Sequence, residues 1–207
     1  RGRPEGWVIL EGLEKNRMVM GHYAKDREEF QELSLKQDWE HLFRYIEMEP
    51  GQYVHVPGGS LHAFCKDAIA VAFSTNSDIT YRLYDFERID TATGKPRQLH
   101  QRQIFETITA PDNELNCFWP RKYEAGGCVL SDFYDEPGVY TAGRIQVETK
   151  GSYEIEEFMF YLCVDGEGYI EDEPIQAGET LFVPAHYGPI AIQGKLDLMY
   201  VTCRERK

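Results

Sequence analysis

Two groups of residues have the types and spacing that chemistry could use. The first is an imidazole delivered by a turn. In Gly51-Gln-Tyr-Val-His-Val-Pro57-Gly58-Gly59-Ser-Leu-His62, a short alternating segment runs into Pro-Gly-Gly, and His62 follows three residues later. Alternation with period 2 marks a half-buried strand, and Pro-Gly-Gly marks a turn, so His62 stands at a defined point beside a strand end. There it is either a metal ligand or a hydrogen-bonded interior histidine. His55 shares a strand face with Tyr53 and is a secondary candidate as ligand or base. The second group is Asn76-Ser-Asp-Ile-Thr-Tyr81-Arg82-Leu-Tyr84-Asp85-Phe-Glu-Arg88. If residues 81–88 are extended, Arg82, Tyr84, Phe86 and Arg88 share one face. Two guanidiniums with an aromatic ring between them clamp a phosphate and cover a sugar. The competing reading is a solvated strand whose arginines pair with Asp85 and Glu87.

The elements that must position these groups read mostly as strands. Trp7–Leu10 and Met18–His22 are expected strands, as are residues 68–73 and 80–84. Between them, 26–35 and 38–46 are expected helices. Asp26 is a suitable N-cap with Glu28 and Glu29 in the first turn. Trp39, Leu42, Phe43 and Ile46 give an i, i+3, i+4, i+7 apolar stripe. A polar loop covers 90–97, and His100, ending Pro96-Arg-Gln-Leu-His100, is expected to orient a loop. Residues 101–109 are ambiguous. Residues 111–138 are rich in turn formers and read as a bridge between two units. From Val139 onward short strands alternate with turns at Gly151, Gly166–Gly168, Gly178 and Gly194, the pattern of an all-β barrel or sandwich. His22, His41 and His186 show no partner pattern.

Composition narrows the function class. The 207 residues carry 35 acids against 22 Lys and Arg, a formal net charge of -13. Non-specific attraction to nucleic acid or anionic membrane is therefore not expected, neither is expected as a partner, and any anionic ligand must be held by a local basic pocket. Five cysteines, Cys65, Cys117, Cys128, Cys163 and Cys203, are scattered without a C-x-x-C pair. That is the usage of reduced thiols in a cytoplasmic protein. No apolar run approaches membrane-spanning length.

The spacing Gly51, five residues, Pro57-x-Gly59, two residues, His62 resembles the second signature motif of the cupins, small β-barrels whose motif histidine ligates a metal. Glu5, six residues, Gly12 is similar to the tail of the first cupin motif, in which a Glu is a ligand. The same grammar returns as Gly178, five residues, Pro184-Ala185-His186, with Pro189 where the histidine would stand, and Gly166 counts back to Met159 where the Glu would stand. An internal repeat of this kind points to two barrels, one with metal-type residues and one without.

The block 76–88, followed by Gly94-Lys-Pro-Arg97-Gln-Leu-His100 and preceded by Gly2-Arg-Pro-Glu5-Gly-Trp7, resembles type I mannose-6-phosphate isomerase in its shorter bacterial form. The likeness covers nearly the whole chain. It implies a mainly β fold of two cupin jelly-roll barrels: a metal-bearing barrel over 1–110, lacking its N-terminal strands and carrying a helical insert at about 26–46, then a linker and a ligand-free barrel over 111–207. It also implies Glu5 and His62 as ligands of one zinc per chain, with other divalent metals possible. Arg82 would be the catalytic arginine, and Arg3, Arg82 and Arg88 would bind a hexose 6-phosphate. The implied reaction interconverts mannose 6-phosphate and fructose 6-phosphate by proton transfer through an enediol. Three departures are visible. The family's upstream Gln-x-His-Pro segment is absent, its lysine before the zinc Glu is Arg3, and Ala72-Phe73-Ser74-Thr75 replaces a Glu- and Gln-containing segment. They keep open an alternative, a non-catalytic double-cupin protein that binds sugar phosphate.

Overall fold

The computed structural model describes residues 2–12, 16–64, 68–77 and 79–205. Cys65 and Asp78, the latter within the motif block 76–88, lie outside the described residues. The chain divides into two compact units, Arg1–Cys117 and Phe118–Lys207.

The first unit is a sandwich of two antiparallel sheets. One has the order β6 (Ala68–Ser74), β1 (Glu5–Gly12), β4 (Tyr53–Val56) and β7 (Asn116–Phe118); the other is β3 (Phe43–Met48), β2 (Asn16–His22) and β5 (His62–Phe64). Period-2 alternation sorts each strand's side chains between two surroundings. Trp7 and Ile9 of β1, Met18 and Met20 of β2, Met48 of β3, and Val54 and Val56 of β4 make the core between the sheets. Val19 and Phe43, on the other face of the second sheet, join Phe30, Leu42, Leu83, Ile104 and Ile108 in a separate core under the helices. Register places Glu5 opposite Val56 and Trp7 opposite Val54, while Met20 lies opposite His62.

Helix α1 (Arg27–Leu35) begins as expected. The Asp26 carboxylate accepts from the Glu29 amide at 2.8 Å, and Phe30 is fully buried. The second helix is much shorter than its apolar stripe predicts. Helix α2 (Trp39–Leu42) lasts one turn, and β3 takes over at Phe43, whose backbone is already extended. Pairing with β2, Met18 against Ile46 and Val19 against Tyr45, overrides the helical periodicity. The aromatic and β-branched residues of 43–46 suit either state locally, and the ladder decides. The expected strand at 80–84 does not form either, and the segment left open between helix and strand is α3 (Gln101–Thr107).

The second unit is one larger antiparallel sheet. Its order is β13 (Glu173–Gln176), β12 (Met159–Ile170), β15 (Ile190–Thr202), β10 (Tyr140–Val147), β9 (Cys128–Glu136) and β8 (Lys122–Ala125), with β11 (Lys150–Tyr153) on β15 and β14 (Thr180–Val183) on β12. The turn-rich stretch 111–138 is therefore mostly strand. Gly126 and Gly127, both at positive φ, turn the β8–β9 hairpin that pairs Ala125 with Cys128. The internal repeat is exact in register: Met159 pairs with Val183 as Glu5 pairs with Val56. Gly51 and Gly178 both sit at positive φ, and so do Gly59 and its counterpart His186. Among the described residues no helix is long and apolar enough to cross a membrane.

Gly6 has no room for a side chain, because a Cβ there would lie 2.1 Å from the Tyr53 hydroxyl and 2.6 Å from its ring. Tyr53 is itself fully buried. Gly6→Ala is expected to lower stability by about 1–3 kcal/mol through overpacking, read as a shifted urea midpoint. An unchanged midpoint would mean the Tyr53 ring can yield.

Candidate functional site

The two sheets of the first unit bring a carboxylate and an imidazole together from 57 residues apart. Glu5, at the head of β1, is 8% exposed, and His62 opens β5. His62 Nδ1 lies 2.9 Å from the Ser60 carbonyl oxygen. A carbonyl only accepts, so Nδ1 carries the proton of the neutral ring and Nε2 keeps a free lone pair. That Nε2 lies 3.9 Å from Glu5 Oε2. The carboxylate is oriented from both sides: Arg3 Nη2 lies 2.5 Å from Oε1, and the Trp7 indole N–H donates to Oε2 at 3.2 Å. Trp7 also meets the His62 ring edge-on at 5.0 Å and stacks on Phe64 at 4.1 Å.

A backbone contact brings these two groups into range. A Cβ on Gly58 would meet Gly2 Cα at 2.7 Å, and one on Gly2 would meet Gly58 Cα at 2.8 Å. The Pro57-Gly58-Gly59 turn and the segment entering β1 thus touch main chain to main chain, a fit only glycine allows. Gly59 adopts φ +88°, and its carbonyl accepts from the Thr109 amide.

Two bonds of about 2.1 Å at a tetrahedral angle put donor atoms about 3.4 Å apart, so a shift of about half an ångström would let Glu5 and His62 share a divalent metal. The fixed His62 tautomer and the hydrogen-bonded carboxylate are the supports such ligands ordinarily have. Among the described residues no group of three His, Cys, Asp or Glu side chains forms a metal cluster. The pair by itself offers two donors, fewer than the three protein ligands of an ordinary catalytic zinc site.

Residues 81–88 are not an extended strand, so the shared face of Arg82, Tyr84, Phe86 and Arg88 does not exist. Phe86 and Glu87 take left-handed φ values of 54° and 55°, and the segment curls around Asp85 instead. Asp85, 6% exposed, accepts from Arg97 through both carboxylate oxygens, with Nε to Oδ2 at 2.8 Å and Nη2 to Oδ1. Arg88 Nη2 donates to Oδ1 at 2.7 Å, and Arg82 Nε stands 3.6 Å from the same oxygen. Compensation of a buried carboxylate outranks strand formation here. Arg82 is further held by donating from Nη1 to the Gln98 carbonyl, at 3.3 Å, and from its amide to His100 Nδ1, at 3.1 Å. His100 thus orients this loop, as its position in the sequence implied.

Both groups line one cavity of about 790 Å³, with Arg3, Glu5, His62, Arg82 and Arg88 all on its wall. His55 does not join them and lines a separate, small cleft with Arg44 and Asp112. Arg97 also lines the main cavity; its segment, Gly94-Lys-Pro-Arg97, belongs to the motif block in the sequence, which assigns no role to Arg97. The ion pairing of arginines with Asp85 that the sequence offered as the competing reading does form, without the strand, and Arg97 joins it from outside the segment. Four arginines against two carboxylates leave this wall with two surplus positive charges among the described residues, in a chain of net charge -13. The Ala72–Thr75 departure falls beside the carboxylate, since Ser74 is Glu5's register partner on β6.

No family profile matches the chain, but individual relatives do. It is 31% identical over 207 residues to the probable mannose-6-phosphate isomerase GmuF of Bacillus subtilis, covering 96% of this chain and 64% of that protein. The crystal structure of the mannose 6-phosphate isomerase from Bacillus subtilis superposes with a TM-score of 0.87 at 28% identity, over 97% of this chain and 64% of that one. A zinc-bound mannose 6-phosphate isomerase structure matches with a TM-score of 0.70 at 13% identity, over 98% and 66%, a likeness of fold. The chain thus spans a little under two thirds of the length of these relatives. It is related to mannose-6-phosphate isomerases along nearly all of its own length, and its mainly β fold of repeated barrels is the cupin fold of those proteins.

The Asp85 cluster makes stability depend on acid. Hydrogen bonds from Arg97, then Arg88, outweigh the effect of burial and hold the Asp85 carboxyl at about 2. A carboxylate whose folded-state pKa is depressed contributes stability above its unfolded value, about 4, and that contribution is lost as pH falls toward 2. Melting temperatures measured from pH 5 to pH 2 should therefore fall less steeply for Asp85→Asn than for the parent protein. Parallel curves would show that the cluster adds no net stability.

Proposed function

We propose that this chain carries the metal and substrate site of a mannose-6-phosphate isomerase, a metal-dependent aldose–ketose isomerase acting on a cytoplasmic hexose 6-phosphate. The observation that carries this reading is the convergence, on one cavity wall, of the Glu5–His62 pair and an arginine cluster with surplus positive charge. Relatives of this activity over 96% of the chain support it. The zinc-bound fold neighbour and the mixed carboxylate–imidazole donor set favour zinc.

In the reaction, a proton leaves C2 of mannose 6-phosphate to give an enediolate, and a proton returned to C1 gives fructose 6-phosphate. A divalent metal bound at Glu5 and His62 would supply an electrophile for sugar oxygens that become negative along this path. The chain's own residues set the geometry. The Ser60 carbonyl fixes the His62 tautomer, while Trp7 and Arg3 fix the carboxylate. Arg82, held by Gln98 and His100, is the preorganised donor for the developing oxyanion, at no reorganisation cost during the step. Arg3 keeps its charge at every working pH, so it binds and orients but does not carry the proton. Arg88, more exposed than Arg82, reaches from the wall toward a phosphate.

Metal analysis of the purified protein and its variants tests the ligand assignment. His62→Ala and Glu5→Gln should each weaken metal binding by on the order of 100-fold or more, and undiminished metal in His62→Ala would sink it. Arg82→Ala should keep its metal while kcat/KM for mannose 6-phosphate falls by about 100- to 1,000-fold. A metal-loaded parent protein that binds the sugar phosphate without turning it over would favour the non-catalytic double-cupin reading.

A further inference from the structure

Resting on the sugar-phosphate reading of the cavity, we infer that Asp85 is a positioning residue that builds the anion site by holding three guanidiniums in one fixed array. A single carboxylate faced by Arg82, Arg88 and Arg97 is outnumbered. Its role could be to dilute the positive charge or to place it, and the geometry favours placement.

Three observations support placement. Arg97 meets Asp85 as a fork, with Nε to one oxygen and Nη2 to the other. That arrangement fixes the guanidinium plane rather than only its distance. Arg88 is tied twice, by Nη2 to the Asp85 carboxylate and by Nε to the Asp85 carbonyl at 3.2 Å, although its side chain is 63% exposed. A long exposed arginine held at two points has already lost the rotamer freedom that anion binding would otherwise remove. The left-handed Phe86 and Glu87 bring Arg88 back onto Asp85. This is local backbone strain that the carboxylate interactions offset.

Each guanidinium keeps N–H donors that Asp85 does not use, because a carboxylate meets at most two of an arginine's five. Three guanidiniums against one carboxylate leave two surplus positive charges on this part of the cavity wall. A phosphate monoester dianion matches that charge, and its three terminal oxygens match the number of guanidiniums. The chemistry recognised is a dianionic phosphate, and the carboxylate arranges its donors without touching it.

The two roles predict opposite signs. If Asp85 only dilutes charge, Asp85→Asn raises the local charge and tightens anion binding. If it places the arginines, the same change frees them and weakens binding. Inorganic phosphate binding to the metal-loaded protein, measured by calorimetry at fixed ionic strength, should weaken by about 10-fold in Asp85→Asn, with metal content unchanged. A Kd that stays the same or tightens would overturn the inference. Should Asp85→Asn not fold, Arg97→Lys keeps the charge and removes the fork; a loss of similar size supports placement, and an unchanged Kd overturns it. In the isomerase assay, KM for the sugar phosphate should rise about 10-fold in either variant, by more than kcat falls. Weakened phosphate binding in a protein without isomerase turnover would leave this inference standing and remove the enzymatic reading. Normal turnover with unweakened phosphate binding would do the reverse.

Discussion

The site depends on the approach of two glycines. Gly2 and Gly58 meet main chain to main chain, and no other residue fits at either position without moving the turn or the strand that faces it. Through that contact the entry to β1 and the Pro-Gly-Gly turn are locked side by side. Glu5, three residues beyond Gly2, and His62, four beyond Gly58, are thereby set 3.9 Å apart. The hydrogen bonds that finish the pair are all local to this junction: Ser60 to the imidazole, and Arg3 and Trp7 to the carboxylate. Rigid elements therefore carry both donors, as a site with ångström tolerances needs.

The second half of the cavity follows a different logic. A strongly acidic chain has no general attraction for anions, so binding of the proposed sugar phosphate would need positive charge concentrated at one place. The buried Asp85 pairs with three of these arginines and fixes where their guanidiniums stand. The same interactions prevent 81–88 from becoming a strand and tie the loop carrying Arg97 and His100 to Arg82. Electrostatics sets the local backbone in this part of the fold, whereas in the sheets the hydrogen-bond ladder does.

The second copy of the repeat keeps the backbone pattern of the first with other side chains at the positions of Glu5 and His62. Met159 holds the register place of Glu5 and Pro189 the place of His62, each at the head of a strand or just before one. Met159 is fully buried in the core of its own unit. His186, in the left-handed backbone position that Gly59 fills in the first copy, is exposed. Its amide donates to the Glu156 carbonyl. Strand and turn grammar outlasts the chemistry because packing needs it independently.

Sequence alone determined the features whose causes are local. Gly51 and Gly59 had to take positive φ around a fixed Pro57, so the strand, the turn and the place of His62 were legible from spacing. Asp26 and the acids after it announced α1. The Glu5–His62 pair and Arg82 were legible as a motif, and the repeat was legible as a rhythm. Tertiary structure decided what depended on distant partners. The stripe at 39–46 is a valid helix pattern, but β2 pairs with it and cuts the helix at Leu42. Residues 81–88 have the alternation of a strand, but a buried carboxylate draws arginines from 82, 88 and 97 to itself. Residues 111–138 read as linker because turn residues dominate them, yet hairpin pairing makes most of them strand. In each case a sheet ladder or charge compensation, worth more than the single-residue preference, overruled a pattern that the sequence states only one residue at a time.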